Sequence, residues 1–442
     1  MKKNKTFIFV YLFQISVLFY LFYITSKTLK PFADEYVSLT SNLGFFTSLD
    51  FDAGIDHGGS YGVELTSGPI SALGGVLGLT IFKDLITARF LNFIWVFLLQ
   101  SSLVFLIKKY YDINLKVLLI LSSLTFMLIP WYFGVLYSIG EIASTYLFFY
   151  SIVIFPQNRS LALIFISTSI FFGKFILVIL FSVFYLTYII QNKQFKYVIK
   201  DGFTFSIPLF IWLFLVFLFY EKGNIVDYII NFFNFNFTNN RSAGIDRNST
   251  TISSYLLSYR DTEVIYWNSA DVLRVLISPI MFNLGILYFK NSLPNQLKKL
   301  ILPIVLSTTV HYLWFWLMSP TKWIRYSQHF LMVSILFIFF IFSLSKNELV
   351  DKRFYLYFSF YISIFLNSVF LLAGLVMFSI LNFGSKNNFY KTSSIYLLLL
   401  FLLFNSLNGI YETTSKSTYE FSFNECLEDI RSTDCWHEYE NQ

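Results

Sequence analysis

Apolar runs close to the roughly 20 residues needed to cross a hydrocarbon core recur from one end of this chain to the other. No other feature limits its fold as strongly. Inside a bilayer every backbone N–H and C=O must be satisfied internally, and long uninterrupted apolar runs leave the α-helix as the spanning structure. The runs fall at roughly 7–25, 86–107, 117–134, 138–155, 161–190, 203–220, 272–289, 300–318, 327–345, 354–381 and 394–410. Only 13% of the 442 residues are charged, against about 25% in an ordinary soluble chain. The 56 Phe and 30 Tyr suit lipid-facing helices with interfacial aromatic belts. The expectation is an all-α polytopic transmembrane protein of about 11–13 helices. Residues 1–410 form its membrane domain and residues 411–442 an acidic tail.

Charge then sets orientation. The segments 108–116 (Lys108, Lys109, Lys116), 191–201 (Lys193, Lys196, Lys200) and 290–299 (Lys290, Lys298, Lys299) are basic, and the positive-inside rule places them on the cytoplasmic side. They share one side only if the 161–190 run is two short helices turning at Phe172-Gly173-Lys174, where Gly173 permits a tight turn. The same argument applied to 354–381 favours about 13 crossings with the tail outside over 12 with it inside. The tail carries eight acidic residues against Lys416 and Arg431, and its Cys426 and Cys435 can pair in an oxidising compartment. The N-terminal run lacks a small-residue cleavage site and reads as a retained first helix. The net charge of +6 is spread over short loops with no basic stripe, which excludes nucleic acid and leaves membrane lipids as the expected surroundings.

Two long loops, about 26–85 and 221–271, then face outward. In the first, Asp34 and Glu35 follow the first helix directly. Tyr36, Leu39, Leu43 and Phe46 recur at helical spacing, as in an amphipathic helix lying in the interface. Asp34 as the N-cap of that helix is the plain structural reading. A carboxylate held against low-dielectric helices can also serve as a general base. The loop adds Asp50, Asp52, Asp56, His57 and Glu64, then a small-residue run around Gly74, Gly75 and Gly78.

This order is Asp34-Glu35, Gly44, Gly68-Pro69, a small apolar run and Ala88-Arg89-Phe90-Leu91-Asn92 entering the second helix. Over about residues 7–190 it resembles the GT-C superfamily of polyprenyl-phosphate-sugar-dependent glycosyltransferases, which includes protein O-mannosyltransferases and the aminoarabinose transferase of lipid A. The resemblance implies a GT-C-like bundle with outer juxtamembrane helices, and Asp34 as the catalytic acid-base residue with Glu35 beside it. Glu141, after the third helix, resembles the family's cavity-lining acid, and His57 is a further acceptor- or cavity-lining candidate. For Glu141 the alternative is a side chain facing interfacial water.

Lys174 matches a Gly-x-x-Lys-like feature of such enzymes, although a lone Lys can simply snorkel to the surface. Lys322, Arg325 and His329 fall at spacings of three and four, compatible with one helical face. That face suits a phosphate head group, while the neighbouring Trp323 and Tyr326 are typical interfacial anchors. Arg89 joins them as a candidate phosphate ligand. His311 sits in an apolar run and reads as a packing residue. The Asn-rich 221–271 loop is placed to select an acceptor.

No His-x-x-x-His and no Walker or Rossmann glycine signature is present. No cofactor or metal is expected, a divalent metal being optional in the superfamily. The expected partners are a polyprenyl-phosphate-linked sugar donor and a glycan, lipid or protein acceptor. The expected setting is a bacterial plasma membrane, with the active site outward and transfer proceeding by inversion. The alternatives are a polysaccharide polymerase or ligase, and a membrane transporter. The first lacks a reason for an acidic pair after the first helix. The second predicts charges deep in helices or internal repeats.

Overall fold

A computed structural model describes residues 2–28, 35, 38, 39, 42, 68–82, 84–127, 134–136, 138, 141–219, 225–233, 269–317, 324–344, 353, 354, 357, 358, 361 and 362. These residues are mainly helical, and Ile113 and Leu344 form an antiparallel bridge. The helices are α1 (Lys2–Thr28), α2 (Pro69–Phe82), α3 (Leu85–Tyr110), α4 (Leu115–Leu124), α5 (Glu141–Ile154) and α6 (Arg159–Phe171). They continue as α7 (Leu177–Asn192), α8 (Val198–Phe219), α9 (Ile225–Phe233), α10 (Ser269–Tyr288), α11 (Asn295–Leu317) and α12 (Gln328–Phe342). By length and composition Leu85–Tyr110, Phe195–Leu215 and Asn295–Leu317 are apolar enough to cross a membrane. The 354–381 and 394–410 runs and the 411–442 tail, with Cys426 and Cys435, lie outside the described residues apart from five positions at 354–362.

Local chemistry marks the helix ends. Asp84, one of the loop carboxylates, accepts from the backbone N–H groups of Ile86 and Thr87 and so caps α3. Asn114 and Asn158 do the same for α4 and α6. Lys193 closes α7 in the left-handed region at φ 52°.

Two helices form the middle of the bundle. Every residue of α5 is buried, as are all residues of α12 from Gln328 to Ile341, and the two pack on each other. A helix apolar on all sides belongs in such a place. By contrast α8 turns Ile199, Phe203, Phe210 and Phe214 outward, as lipid contact demands. On α1, Gln14 is buried and donates to the Ile120 carbonyl and to Ser123 Oγ at 2.9 Å, fastening α1 to α4. Nearby, Phe22 stacks on Phe93 of α3 at 3.8 Å.

The 161–190 run breaks where expected. α6 ends at Phe171 and α7 begins at Leu177, and they pack chiefly on different partners, α6 on α5 and α8, α7 on α11. The reason for glycine at 173 differs from the expected one. Its φ is not left-handed; a Cβ there would run into Ser144 of α5.

The first long loop also differs from its reading. Its small-residue stretch is the helix α2, which lies tightly along α3. A Cβ on Gly74 would sit 2.7 Å from Asn92 Cα, and one on Gly78 would sit 2.5 Å from Ala88 Cα. Small residues permit this backbone approach, the usual means of helix association in lipid. Upstream, Glu35, Ser38, Leu39 and Asn42 are helical and buried, spaced as one helix face. Tyr36, Leu43 and Phe46 lie outside the described residues.

The basic segments meet at one end of the bundle. Asn114 N–H donates to the Ser343 carbonyl at 2.6 Å beside the Ile113–Leu344 bridge. Tyr111 Oη donates to the Val153 carbonyl at 2.7 Å. Arg159 donates to Gln194 Oε1 at 2.6 Å and pairs with Asp201. Phe289, before 290–299, packs on Phe354, which packs on Phe342. Segments 108–116, 191–201 and 290–299 therefore share an end, as their charge required.

Candidate active site

At the opposite end five of the expected residues, Glu35, Arg89, Glu141, Lys174 and His329, lie in two buried clusters. The first begins with Glu35. Arg89 of α3 donates from Nε to Glu35 Oε1 and from Nη2 to Glu35 Oε2, both at 2.6 Å, and from Nη1 to the Ser26 carbonyl at 3.1 Å. Both side chains are fully buried. This bidentate fork satisfies planar guanidinium and carboxylate together. It ties the juxtamembrane helix to α3 and to the end of α1. One residue earlier stands Asp34, which lies outside the described residues, as do His57 and Lys322.

The juxtamembrane helix is held a second time. Ser38 Oγ donates to the Ser138 carbonyl at 2.8 Å. Ser138 is one of two non-glycine residues at positive φ among those described, at 55°, and it is completely buried. A left-handed serine is disfavoured locally, so tertiary bonds hold it. Asn92 supports the same turn by donating to the Val135 carbonyl at 2.8 Å while accepting from Gly75 N–H.

That turn leads into α5, whose first residue is Glu141. Acidic side chains are favoured at a helix N-terminus. Lys174, in the turn between α6 and α7, reaches it with Nζ 3.0 Å from Oε1, and both side chains are buried. The turn is latched to the start of α2: Gly68 N–H donates to the Gly173 carbonyl at 2.7 Å and Ile70 N–H to the Phe172 carbonyl at 3.0 Å. Lys174 Nζ also lies 5.7 Å from the centre of the Tyr326 ring. This brings the 3-10 turn Ile324–Ser327 alongside.

Arg325 belongs to that turn, its side chain lying outside what is described. That 3-10 turn runs directly into α12, which begins at Gln328, so Arg325 stands four residues before His329 on contiguous helical backbone. His329, the second residue of α12, is fully buried with Nδ1 3.0 Å from Thr145 Oγ1. Its ring lies within electrostatic reach of Glu141 and Lys174. His311 of α11 stands edge-on to it, ring centres 5.7 Å apart.

Glu141, Lys174 and His329 thus converge from three separate stretches of chain, with Tyr326 beside them. Glu35 and Arg89 form a neighbouring pair joined to them through Ser38 and Ser138. Thr145 escaped the sequence reading, although it lies four residues after Glu141 on the same helical face. Ser138 left no sequence signal. Among the described residues no group of three His, Cys, Asp or Glu side chains is placed to hold a metal ion.

The architecture is an all-helical, GT-C-like bundle. Among solved structures, the chain is similar to ArnT from Cupriavidus metallidurans, a GT-C family aminoarabinose transferase, bound to undecaprenyl phosphate. The TM-score is 0.57 at 12% identity, over 91% of this chain and 77% of that one. The apo state of the same enzyme gives a TM-score of 0.54 at 11% identity, over 94% and 78%. At such identities the likeness is one of fold. No protein-family model and no curated protein matches the sequence.

Proposed function

We propose that the chain is a membrane glycosyltransferase that moves a sugar from a polyprenyl-phosphate donor to a hydroxyl or amine of a glycan, lipid or protein acceptor. The observation that carries this reading is the buried meeting of Glu141, Lys174 and His329 beside the Glu35–Arg89 pair, at one end of a GT-C bundle. The ArnT likeness supports the donor class, since that enzyme was crystallised with undecaprenyl phosphate.

In this reading Asp34 takes the proton from the acceptor as its oxygen or nitrogen attacks the anomeric carbon. The bond from that carbon to the phosphate oxygen breaks on the opposite face, and its electron pair leaves with the lipid phosphate. Inversion follows from this single displacement. Lys174, with Arg325 of the neighbouring turn and Lys322 three residues before it in sequence, stabilises the charge that grows on the departing phosphate, usually a large term in catalysis. Glu141 holds the Lys174 ammonium in place. Arg89, bonded to Glu35 and the Ser26 carbonyl, acts by fixing Glu35, the residue next to Asp34, and not by binding phosphate. The lysine-rich loops at the other end of the bundle support, by the positive-inside rule, a site on the outer face of a plasma membrane.

Membranes containing wild-type or Asp34→Asn protein, supplied with labelled polyprenyl-phosphate sugars, test the reading. Label should pass to acceptor with wild type alone. Equal transfer by a well-inserted Asp34→Asn protein removes Asp34 from the mechanism.

A further inference from the structure

His311 and His329 carry hydrogen-bonding capacity that the described fold leaves unused. Both are completely buried, and three of their four ring nitrogens, His311 Nδ1, His311 Nε2 and His329 Nε2, have no hydrogen-bond partner among the described residues. Buried polar atoms are normally paired, and in hydrocarbon surroundings an unpaired one is more costly still. Three such atoms on two rings 5.7 Å apart point to a ligand.

The hydrogen bonds also fix which kind of atom His329 presents. Thr145 Oγ1 lies 2.5 Å from the Glu141 carbonyl and 3.0 Å from His329 Nδ1. A carbonyl can only accept, so the one hydroxyl proton of Thr145 is spent on it. Thr145 Oγ1 must then accept from Nδ1–H of His329. In the neutral ring that an apolar interior favours, Nε2 is left as a bare acceptor. A phosphate diester anion offers acceptors alone and would face it lone pair to lone pair. A hydroxyl, which donates and accepts, fits. His311 adds one donor and one acceptor in its neutral form, with the rings of Trp314 and Phe330 centred 5.3 Å and 5.6 Å from its own.

We propose that His311 and His329 form a hydroxyl-recognition subsite for the sugar ring of the lipid-linked donor, next to the phosphate position at Lys174. The proposal rests on the glycosyltransferase reading and deepens it. It reassigns His329 from phosphate to sugar and gives His311 a binding role in place of packing.

The test measures binding to the purified full-length chain in nanodiscs, with two sorts of probe: undecaprenyl phosphate alone, and undecaprenyl phosphate carrying glucose, mannose or galactose. Wild type should bind at least one glycosylated lipid about tenfold more tightly than the bare phosphate, the scale of one or two good hydrogen bonds. His311→Leu and His329→Leu should each abolish most of that preference while binding bare undecaprenyl phosphate within about twofold of wild type. That retained binding also reports an intact fold. His329→Gln, which keeps an amide near the Nε2 position, should recover part of the preference. A preference that survives both Leu substitutions overturns the subsite, as does a parallel loss of both lipids or a wild type that does not discriminate. If wild type binds neither kind of lipid, the glycosyltransferase reading itself fails and takes the subsite with it. These results are distinguishable from one another.

Discussion

Arg89 grips Glu35 through two bonds of 2.6 Å across 54 residues of sequence, with neither side chain exposed. The pair joins the helix following Asp34 to the start of the second long membrane helix. Removing one member strands the other charge in an apolar interior, a loss of about 3–5 kcal/mol. Arg89→Leu is therefore expected to lower the melting temperature of the purified protein sharply. Arg89→Lys keeps the charge but not the planar fork and should fall between the two. Melting in detergent, followed by size-exclusion fluorescence, ranks the three proteins.

Lys174 and Glu141 form a second buried pair, and here stability and activity should part. Lys174→Met alone leaves Glu141 uncompensated and should destabilise by a similar about 3–5 kcal/mol. The double variant Glu141→Gln with Lys174→Met removes both charges and should recover much of that stability. It should not recover transfer, which is expected to stay two to three orders of magnitude below wild type, roughly the loss on removing one charge-stabilising donor. A double variant that regains both would make the pair purely structural.

The α2–α3 contact gives a prediction about glycine. Gly78→Leu pushes side-chain atoms into the Ala88 backbone and should destabilise by about 1–3 kcal/mol, as overpacking does. Gly202 sits within α8 with nothing inside 4 Å of an added Cβ. Gly202→Ala should be neutral or stabilising by about 0.5–1 kcal/mol, the helix preference of alanine over glycine. Thermal unfolding of the two variants side by side checks the contrast.

The basic end supplies a control. Asp201 pairs with Arg159 and accepts from Tyr185 Oη at 2.7 Å, far along the bundle from Glu141. Asp201→Asn should lower stability while the transfer rate per folded molecule stays within about twofold of wild type, as expected for distant independent sites. Transfer normalised to folded protein measures this.

Much of this architecture was legible because its signals are local. Apolar run length marks helices, and lysine-rich loops mark an end. The break at Phe172-Gly173-Lys174 followed from requiring those loops to share a side, and α6 and α7 do separate there. The helix α2 was hidden because glycine is a poor helix former in water, while packing against Asn92 and Ala88 rewards it in this bundle. Residue types were easier to read from the sequence than residue roles. Glu141 and Lys174 stand out singly in the sequence and His329 together with Lys322 and Arg325, and the meeting of Glu141, Lys174 and His329 depends on three chain segments that no local pattern connects. Arg89 looked like a phosphate ligand because nothing in its neighbourhood of sequence announces Glu35. His311 looked inert because an apolar run conceals which ring its side chain faces.

In the proposed function the lipid phosphate sits at Lys174, at the end of the bundle opposite the lysine-rich loops. An experimental structure of the full chain in nanodiscs with undecaprenyl phosphate measures this directly. The phosphate is expected within hydrogen-bonding distance of Lys174 Nζ, with the prenyl tail running down between the helices. A phosphate seated instead against Lys108, Lys193 or Lys298 at the other end would contradict it.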